Sequence, residues 1–393
     1  MDVEQILDRK EIFFEDDYQS KIDFLHDCVG NSSVLVIGAA GSIGHIITKL
    51  LFGLKPKSLH AIDLSENNLV ELVRDIRSSL GYLGVDFKTF AIDVGSAEFE
   101  LLLKNHESYD YVFNLSALKH VRSESDPYTL MRLMQTNIIN VHKSLKLFEE
   151  IGIKRYFAVS TDKAANPVNL MGASKLIMEK VLFNGHNSFK ITTARFANVA
   201  FSDGSLLNGF EKRIEKKQPL SAPSDIERYF ISHLEAGKLS LLAGILGDNL
   251  QTFFPKLNEL QPVKFSKIAK KYIISRGLKP IICDTEDNAR AFLQNQSNDE
   301  WPLYLFNSNT SGEKDLEEFY TKKDQIVDAG LKQIGAIQNS PTQDFKRVDE
   351  FVNAINDLKK SKAWNRNDII HLVNDLVKEF AHFDTGVFLD DKM

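Results

Sequence analysis

The stretch VLVIGAAGSIGHIITKLLF, residues 34–52, leaves a chain few folds to choose from. A short apolar run suited to a buried strand leads into glycines at Gly38, Gly41 and Gly44, and apolar residues then recur at helical spacing. Glycine allows a tight turn and a close approach of backbone to ligand. The start of the following helix, at Ser42 and Ile43, offers unpaired N–H groups and a positive dipole to a pyrophosphate. The next strand, SLHAIDLSENNL, ends at Asp63, about twenty residues on, where an acid suits the free hydroxyls of an adenosine ribose and disfavours a 2′-phosphate. The expected cofactor is therefore NAD rather than NADP, with Ser65 and Asn68 beside the ribose. Asp63 has a second reading, as a cap for the helix that starts near Ser65.

A third strand, DFKTFAID, ends at Asp93 and Val94. A fourth, YDYVFNLSALKHV, runs into Leu115, Ser116 and Ala117, whose backbone is expected to pass beside the cofactor. Strands separated by helical stretches imply parallel βαβ units with ligands gathered at the carboxyl ends. The expected fold class is α/β: a doubly wound parallel sheet (Rossmann) with a smaller C-terminal substrate-binding lobe. Its divisions are 1–32, an N-terminal helical extension; 33–200, the NAD-binding domain; 201–325, the substrate lobe with a strand returning to the core sheet; and 326–393, a C-terminal helical extension.

Composition narrows the function classes. With 48 basic and 54 acidic residues the chain carries net charge −6, and its basic residues are dispersed, so no nucleic-acid footprint appears. The two cysteines, Cys28 and Cys283, have no C-x-x-C or histidine pairing, which argues against a disulfide framework or a zinc site and for a reducing, cytoplasmic setting. No apolar run approaches the roughly twenty residues a membrane span needs. The acidic N-terminus lacks the features of a signal peptide.

The densest chemistry lies in VSTDKAANPVNLMGASKLIMEK, residues 159–180, where hydroxyls, a carboxylate and lysines crowd together. The preceding IKRYFAVS reads as a buried strand ending at Ser160, Pro167 delays the helix, and from Met171 the spacing is helical, so Met171 and Lys175 share one face. A plainer reading makes the Ser-Thr-Asp loop a helix cap and Met171 core packing.

The G-x-x-G-x-x-G spacing and the strand-loop-helix context resemble the extended short-chain dehydrogenases, which place Ser and then Tyr-x-x-x-Lys here. Met171 stands where their tyrosine belongs. The string STDKAxNPxNxMGAxK resembles the capsular-polysaccharide type of UDP-N-acetylglucosamine 4,6-dehydratase, and the similarity runs through roughly residues 30 to 270. The resemblance implies NAD as cofactor, UDP-N-acetylglucosamine or a related UDP-sugar as substrate, and C4 oxidation, water elimination across C5–C6 and hydride return to C6. Relatives with methionine at this position are associated with retention at C5, which implies a D-xylo product. Asp162 is then the acid and Lys163 the C5 base, Lys175 bonds the nicotinamide ribose, and the group at the C4 hydroxyl is Thr161, Ser160 or a water held by Lys175.

The same resemblance places Val159, Phe196 and Val199 at the cofactor, and Lys119, His120, Asn137, Asn198, Ser205 and Arg228 at the substrate. In FKITTARFANVAFSDGS, Ala197 replaces the usual glycine of an RFGNV motif, and Asn208 replaces a proline further on. Segment 307–321 is a candidate for the uridine side. A homodimer or higher homo-oligomer is implied, built on the helices after strands four and five. The rival readings are a UDP-sugar 4-epimerase, which normally keeps the tyrosine and lacks the Asp-Lys pair, and a non-catalytic binder of NAD or nucleotide sugar.

Overall fold

The computed structural model describes residues 3–106, 108–185, 187–257, 260–293, 299–308, 316–380 and 382. Its centre is a nine-stranded sheet. In chain order the strands are β1 (Ser33–Ile37), β2 (Ser58–Asp63), β3 (Asp86–Ala91), β4 (Tyr111–Asn114), β5 (Arg155–Thr161), β6 (Lys190–Phe196), β7 (Gln251–Pro255), β8 (Gln325–Val327) and β9 (Ile334–Gln338). They lie side by side as β3-β2-β1-β4-β5-β6-β7-β9-β8. β1 to β7 run parallel, while β9 is antiparallel to both β7 and β8.

The inner strands are apolar on both faces because both faces are covered, whereas the edge strands β3 and β8 keep exposed residues. Leu35 and Ile37 join one core cluster, and their neighbours Val34 and Val36 join the other. The second cluster lies under the helices α1 (Ser42–Gly53), α2 (Glu66–Leu80) and His233–Leu246, and the N-terminal residues Phe14, Tyr18, Leu25 and Val29 extend it. A third cluster, including Phe210, Tyr272, Trp301 and Leu303, holds the smaller lobe around a three-stranded parallel sheet of Lys279–Cys283, Glu300–Phe306 and Leu220–Pro223. The order reverses between β1, which leads outward to β2 and β3, and β4, which leads the other way. That reversal opens the crevice in which such sheets bind ligands.

One expectation needs correction. Residues 326–393 are not all helical, because β9 and the end of β8 fall among them. The short apolar run of Ile334 to Ile337 carries no helical period of its own, and its side chains are buried by pairing with β7. The helices after β4 and β5, on which a dimer is expected, also pack against two later helices of the same chain. Helices Phe345–Ser361 and Arg366–Leu376 bury Val348, Phe351, Val352, Ile355, Ile369 and Val373 in one cluster with Leu130, Met131, Met178 and Leu182 of the helices after β4 and β5. Polar clasps fix this cover: Trp364 Nε1 donates to the Pro127 carbonyl at 3.1 Å, and Arg366 Nε donates to that of Glu124 at 2.7 Å.

Candidate active site

The glycine turn is built by sterics. Gly38 has φ +74°, and a Cβ there would lie 2.7 Å from Ser116 N, so β1 can meet the end of β4 only through glycine. A Cβ on Gly44 would overlap the Gly38 carbonyl oxygen. Gly41 differs, since its added Cβ would find only that oxygen, at an ordinary 3.6 Å. The space in front of Gly41 is therefore clear at the N-terminus of α1, where Gly41 is the cap residue and supplies no side-chain bond. Ser42 opens the helix and exchanges two bonds with Asp203, donating from Oγ to Oδ2 at 2.8 Å and accepting from its N–H at 2.9 Å. Ile43 follows, half-buried.

Asp63 joins the turn to the second strand. Its Oδ2 accepts from Ala40 N at 3.0 Å and its Oδ1 from Ser65 N at 2.9 Å. The capping role falls to Ser65, whose hydroxyl accepts from Asn68 N. Asp93 accepts from Gly95 N at 2.9 Å and pairs with Arg132 at 3.1 Å. Burial alone would raise its proton affinity, yet the Gly95 N–H and the Arg132 guanidinium hold the carboxyl below the usual carboxylate range.

Gly38, Gly41, Asp63, Asp93, Val94, Leu115, Ser116 and Ala117 all line one cleft of about 210 Å³. Sequence reasoning missed Thr136, which also lines it and whose buried hydroxyl has no partner. Thr136 and Asn137 sit in a π-turn, Gln135–Ile139, between the helices Pro127–Met134 and Asn140–Ile151. Such a turn inserts one residue into the helical ladder and re-aims side chains. Asn137 is fully buried; it accepts from Leu118 N, and its Nδ2 donates to the Leu118 carbonyl and to Ser174 Oγ, each at 2.9 Å. It fixes the loop after β4. Lys119 is exposed beyond that loop, and the His120 ring faces Gly204, where a Cβ would lie 2.7 Å from Nε2.

Across the crevice, the register of β5 on β6 sets Ser160 against Arg195 and Thr161 against Phe196. Helix Leu170–Leu182 is capped by Asn169 and reaches both strands. Its Glu179 takes the Ser160 hydroxyl on Oε1 at 2.6 Å and the Arg195 guanidinium on both oxygens, at 3.0 and 2.7 Å. Buried carboxylate and guanidinium thus neutralise one another. Thr161 Oγ1 donates to Asp162 Oδ1 at 2.8 Å, and Lys163 Nζ lies 3.2 and 3.3 Å from the two Asp162 oxygens. The Asp162 side chain is 7% exposed and that of Lys163 is 32% exposed, so the pair spans the boundary between protein and solvent.

Met171 and Lys175 are both buried on this helix. The Met171 N–H donates at 2.8 Å to Glu124, a buried carboxylate at the positive end of the helix that sequence reasoning missed. Lys175 Nζ donates to the Val159 carbonyl at 3.0 Å; burial pulls its proton affinity down to about 8, against the opposing charge of Glu179. Phe196 is buried, and Asn198 and Val199 continue from β6 to pair with Phe230 and Ile231. Ser205 caps the helix Leu206–Glu215, accepting from Asn208 N at 3.2 Å. Arg228 Nε lies 3.4 Å from Glu317, a second buried carboxylate that sequence reasoning passed over. Of segment 307–321, residues 309–315 lie outside the described residues.

Comparison with known proteins follows from this geometry. The family described as "Polysaccharide biosynthesis protein" matches residues 34–339. An uncharacterized membrane protein of Methanocaldococcus jannaschii is 32% identical, over 64% of this chain and 74% of its own length. The probable polysaccharide biosynthesis protein EpsC of Bacillus subtilis is 32% identical over 63% of this chain, which spans only 41% of EpsC. An inverting UDP-N-acetylglucosamine 4,6-dehydratase of Campylobacter jejuni is 29% identical over 58% of this chain and 68% of its own. Among solved structures, Pen from Bacillus thuringiensis superposes with TM-score 0.64 at 23% identity, covering 80% of this chain and 89% of Pen. WbmF of Bordetella bronchiseptica, in complex with NAD+, gives TM-score 0.52 at 14% identity over 90% and 99%. At these identities the structural likeness speaks for the fold.

Proposed function

This chain belongs to the polysaccharide biosynthesis protein family, and on that footing we propose that it is an NAD-dependent UDP-N-acetylglucosamine 4,6-dehydratase that retains configuration at C5. The observation that carries the reading is the Asp162–Lys163 pair at 3.2 Å, set beside Thr161 at the carboxyl end of β5 with the buried Lys175 behind it. The Campylobacter relative's name supports dehydration of the same sugar, and the inversion in that name is the point on which this reading departs from it.

The cleft fits a dinucleotide. Space is kept clear at Gly41, the Asp63 carboxylate stands at the end of β2, and the Thr136 hydroxyl is buried without a partner at the cleft wall. Gly38, Gly41, Ser42 and Ile43 would hold the diphosphate, Asp63 the adenosine ribose, Asp93 and Val94 the adenine side, and Lys175 the nicotinamide ribose, with Val159, Phe196 and Val199 nearby. Bound there, NAD supplies a hydride acceptor at C4 and, later in the turnover, a hydride donor at C6.

The chain's own groups manage the protons. Both hydroxyls donate to carboxylates, but Ser160 is buried with Glu179 whereas Thr161 is half-buried beside Asp162, which favours Thr161 as the hydroxyl that meets the substrate's C4–OH. Once C4 is a ketone the C5 proton is acidic. Lys163 takes that proton while Asp162 gives one to the departing C6 hydroxyl, which leaves as water. When C6 is reduced Lys163 returns its proton to the same face of C5, and the pair then regains from solvent the proton that the C4 hydroxyl released there. The elimination requires one proton to pass from Lys163 to Asp162 within the pair, a step favoured when the sugar shuts out solvent and penalises separated charge.

Incubating the protein with UDP-N-acetylglucosamine tests the reading. The expected product has lost one water, and its fresh NMR spectrum shows the D-xylo 4-keto-6-deoxy sugar. A product of unchanged mass inverted at C4 would identify an epimerase, an L-arabino product the inverting reaction, and no product a binding protein.

A further inference from the structure

Glu317 touches three groups at once. Its Oε1 accepts from Asn198 Nδ2, its Oε2 accepts from Tyr229 N at 3.1 Å, and Arg228 Nε lies 3.4 Å away. The neighbouring residues dock on the same surface: Glu318 accepts from Asn166 Nδ2 at 2.9 Å, and the Phe319 carbonyl accepts from Arg195 Nη1 at 2.8 Å. Phe319 is buried, and its ring stacks on Phe254 with centroids 6.4 Å apart. Glu317 is thus anchored by its own contacts and by the two residues that follow it, and it is 6% exposed.

A carboxylate in that position is costly to keep out of water. Its effect on Asn198 is specific. The Asn198 amide has two protons, and both are spent on one side, one on Glu317 and one on the Tyr229 carbonyl at 3.2 Å. What the amide has left to offer is its oxygen. Burial, then the negative charge of Asp162, raises the proton affinity of Glu317, which sets it electrostatically in contact with the Asp162–Lys163 pair.

We propose that Glu317 is a positioning residue that locks the Asn198 amide oxygen-outward and holds Arg228 beside it, so that the site selects a ligand presenting a donor there, such as a sugar hydroxyl or an acetamido N–H. This rests on the UDP-sugar reading above. With Glu317 removed, Asn198 is free to rotate its amide, and the sugar loses a fixed acceptor while the uridine diphosphate keeps its contacts.

Calorimetric titration of the NAD-loaded protein with UDP-N-acetylglucosamine and with UDP alone, in wild type, Glu317→Gln and Glu317→Ala, separates the cases. The expected result is about tenfold weaker binding of the sugar nucleotide in both variants, the size of one lost hydrogen bond, with UDP binding nearly unchanged. Glu317→Gln keeps the side chain's shape and carries the test if the alanine variant does not fold. A role in folding alone would lower the thermal midpoint and leave the ratio of the two affinities at its wild-type value, which would overturn the proposal. A wild type that binds neither ligand would overturn the functional reading and this proposal with it.

Discussion

Lys175 donates from Nζ to the main-chain carbonyl of Val159 at 3.0 Å, which ties the helix after β5 to the strand it follows. Burial lowers the lysine's proton affinity from 10.5 to about 8. Below about pH 8 folded and unfolded chains both hold the proton, and the burial cost, about 3 kcal/mol, weighs on the folded state in full. Between pH 8 and 10.5 the unfolded chain alone keeps it, so stability rises with pH. Lys175→Met should therefore be inactive yet more stable than wild type at pH 7, and its advantage should shrink as pH approaches 10.5. Urea denaturation at pH 7, 9 and 10 measures this, and an advantage that stays constant would contradict it.

Gly41 and Gly44 should fail differently. Gly44→Ala forces overlap with the Gly38 carbonyl and should yield little folded protein. Gly41→Ala meets nothing closer than 3.6 Å, so it should fold with a near wild-type thermal midpoint and lose dinucleotide, because its methyl enters the space kept for the diphosphate. Cofactor released on denaturing each purified variant provides the comparison.

Asp63→Ala should weaken NAD by about 1 to 3 kcal/mol, the range for a polar partner left unmade. Part of that loss is the freed Ala40 N–H, which Asp63 now satisfies at 3.0 Å. Wild-type protein should release NAD; recovery of NADP alone would refute the assignment.

Asp162→Asn preserves shape and removes the acid, so water elimination should stop while the C4 step survives. A C4-deuterated substrate should lose label to the cofactor in this variant without yielding the dehydrated product. Lys163→Ala should behave alike. Full dehydratase activity in the double variant would exclude the pair from the mechanism.

The glycine turn and the acids at the strand ends were legible because local rules dictate them: a glycine that must adopt φ +74° and an acid at a strand end are visible one residue at a time. The rest of the crevice depends on contacts across long separations. Glu179 reaches Ser160 from 19 residues away, Glu124 reaches Met171 across 47, and Glu317 reaches Asn198 across 119. A glutamate in a polar stretch gives no sign that it will be buried. Asn137 did give one, since an asparagine within a helix needs a bond to justify it. The π-turn that aims it, and the partnerless Thr136 next to it, emerge only when the helix is packed.

The two C-terminal helices lie against the helices after β4 and β5, where a second copy was expected. A contact between subunits weakens on dilution, and its strength depends on how much protein a cell makes. A contact within one chain has no such dependence, because its two halves are tethered at a fixed effective concentration. The helix that carries Met171 and Lys175 is therefore braced at any abundance, in a single freshly made molecule as fully as in a crowded solution. Whatever assembly forms, this support does not wait for an encounter.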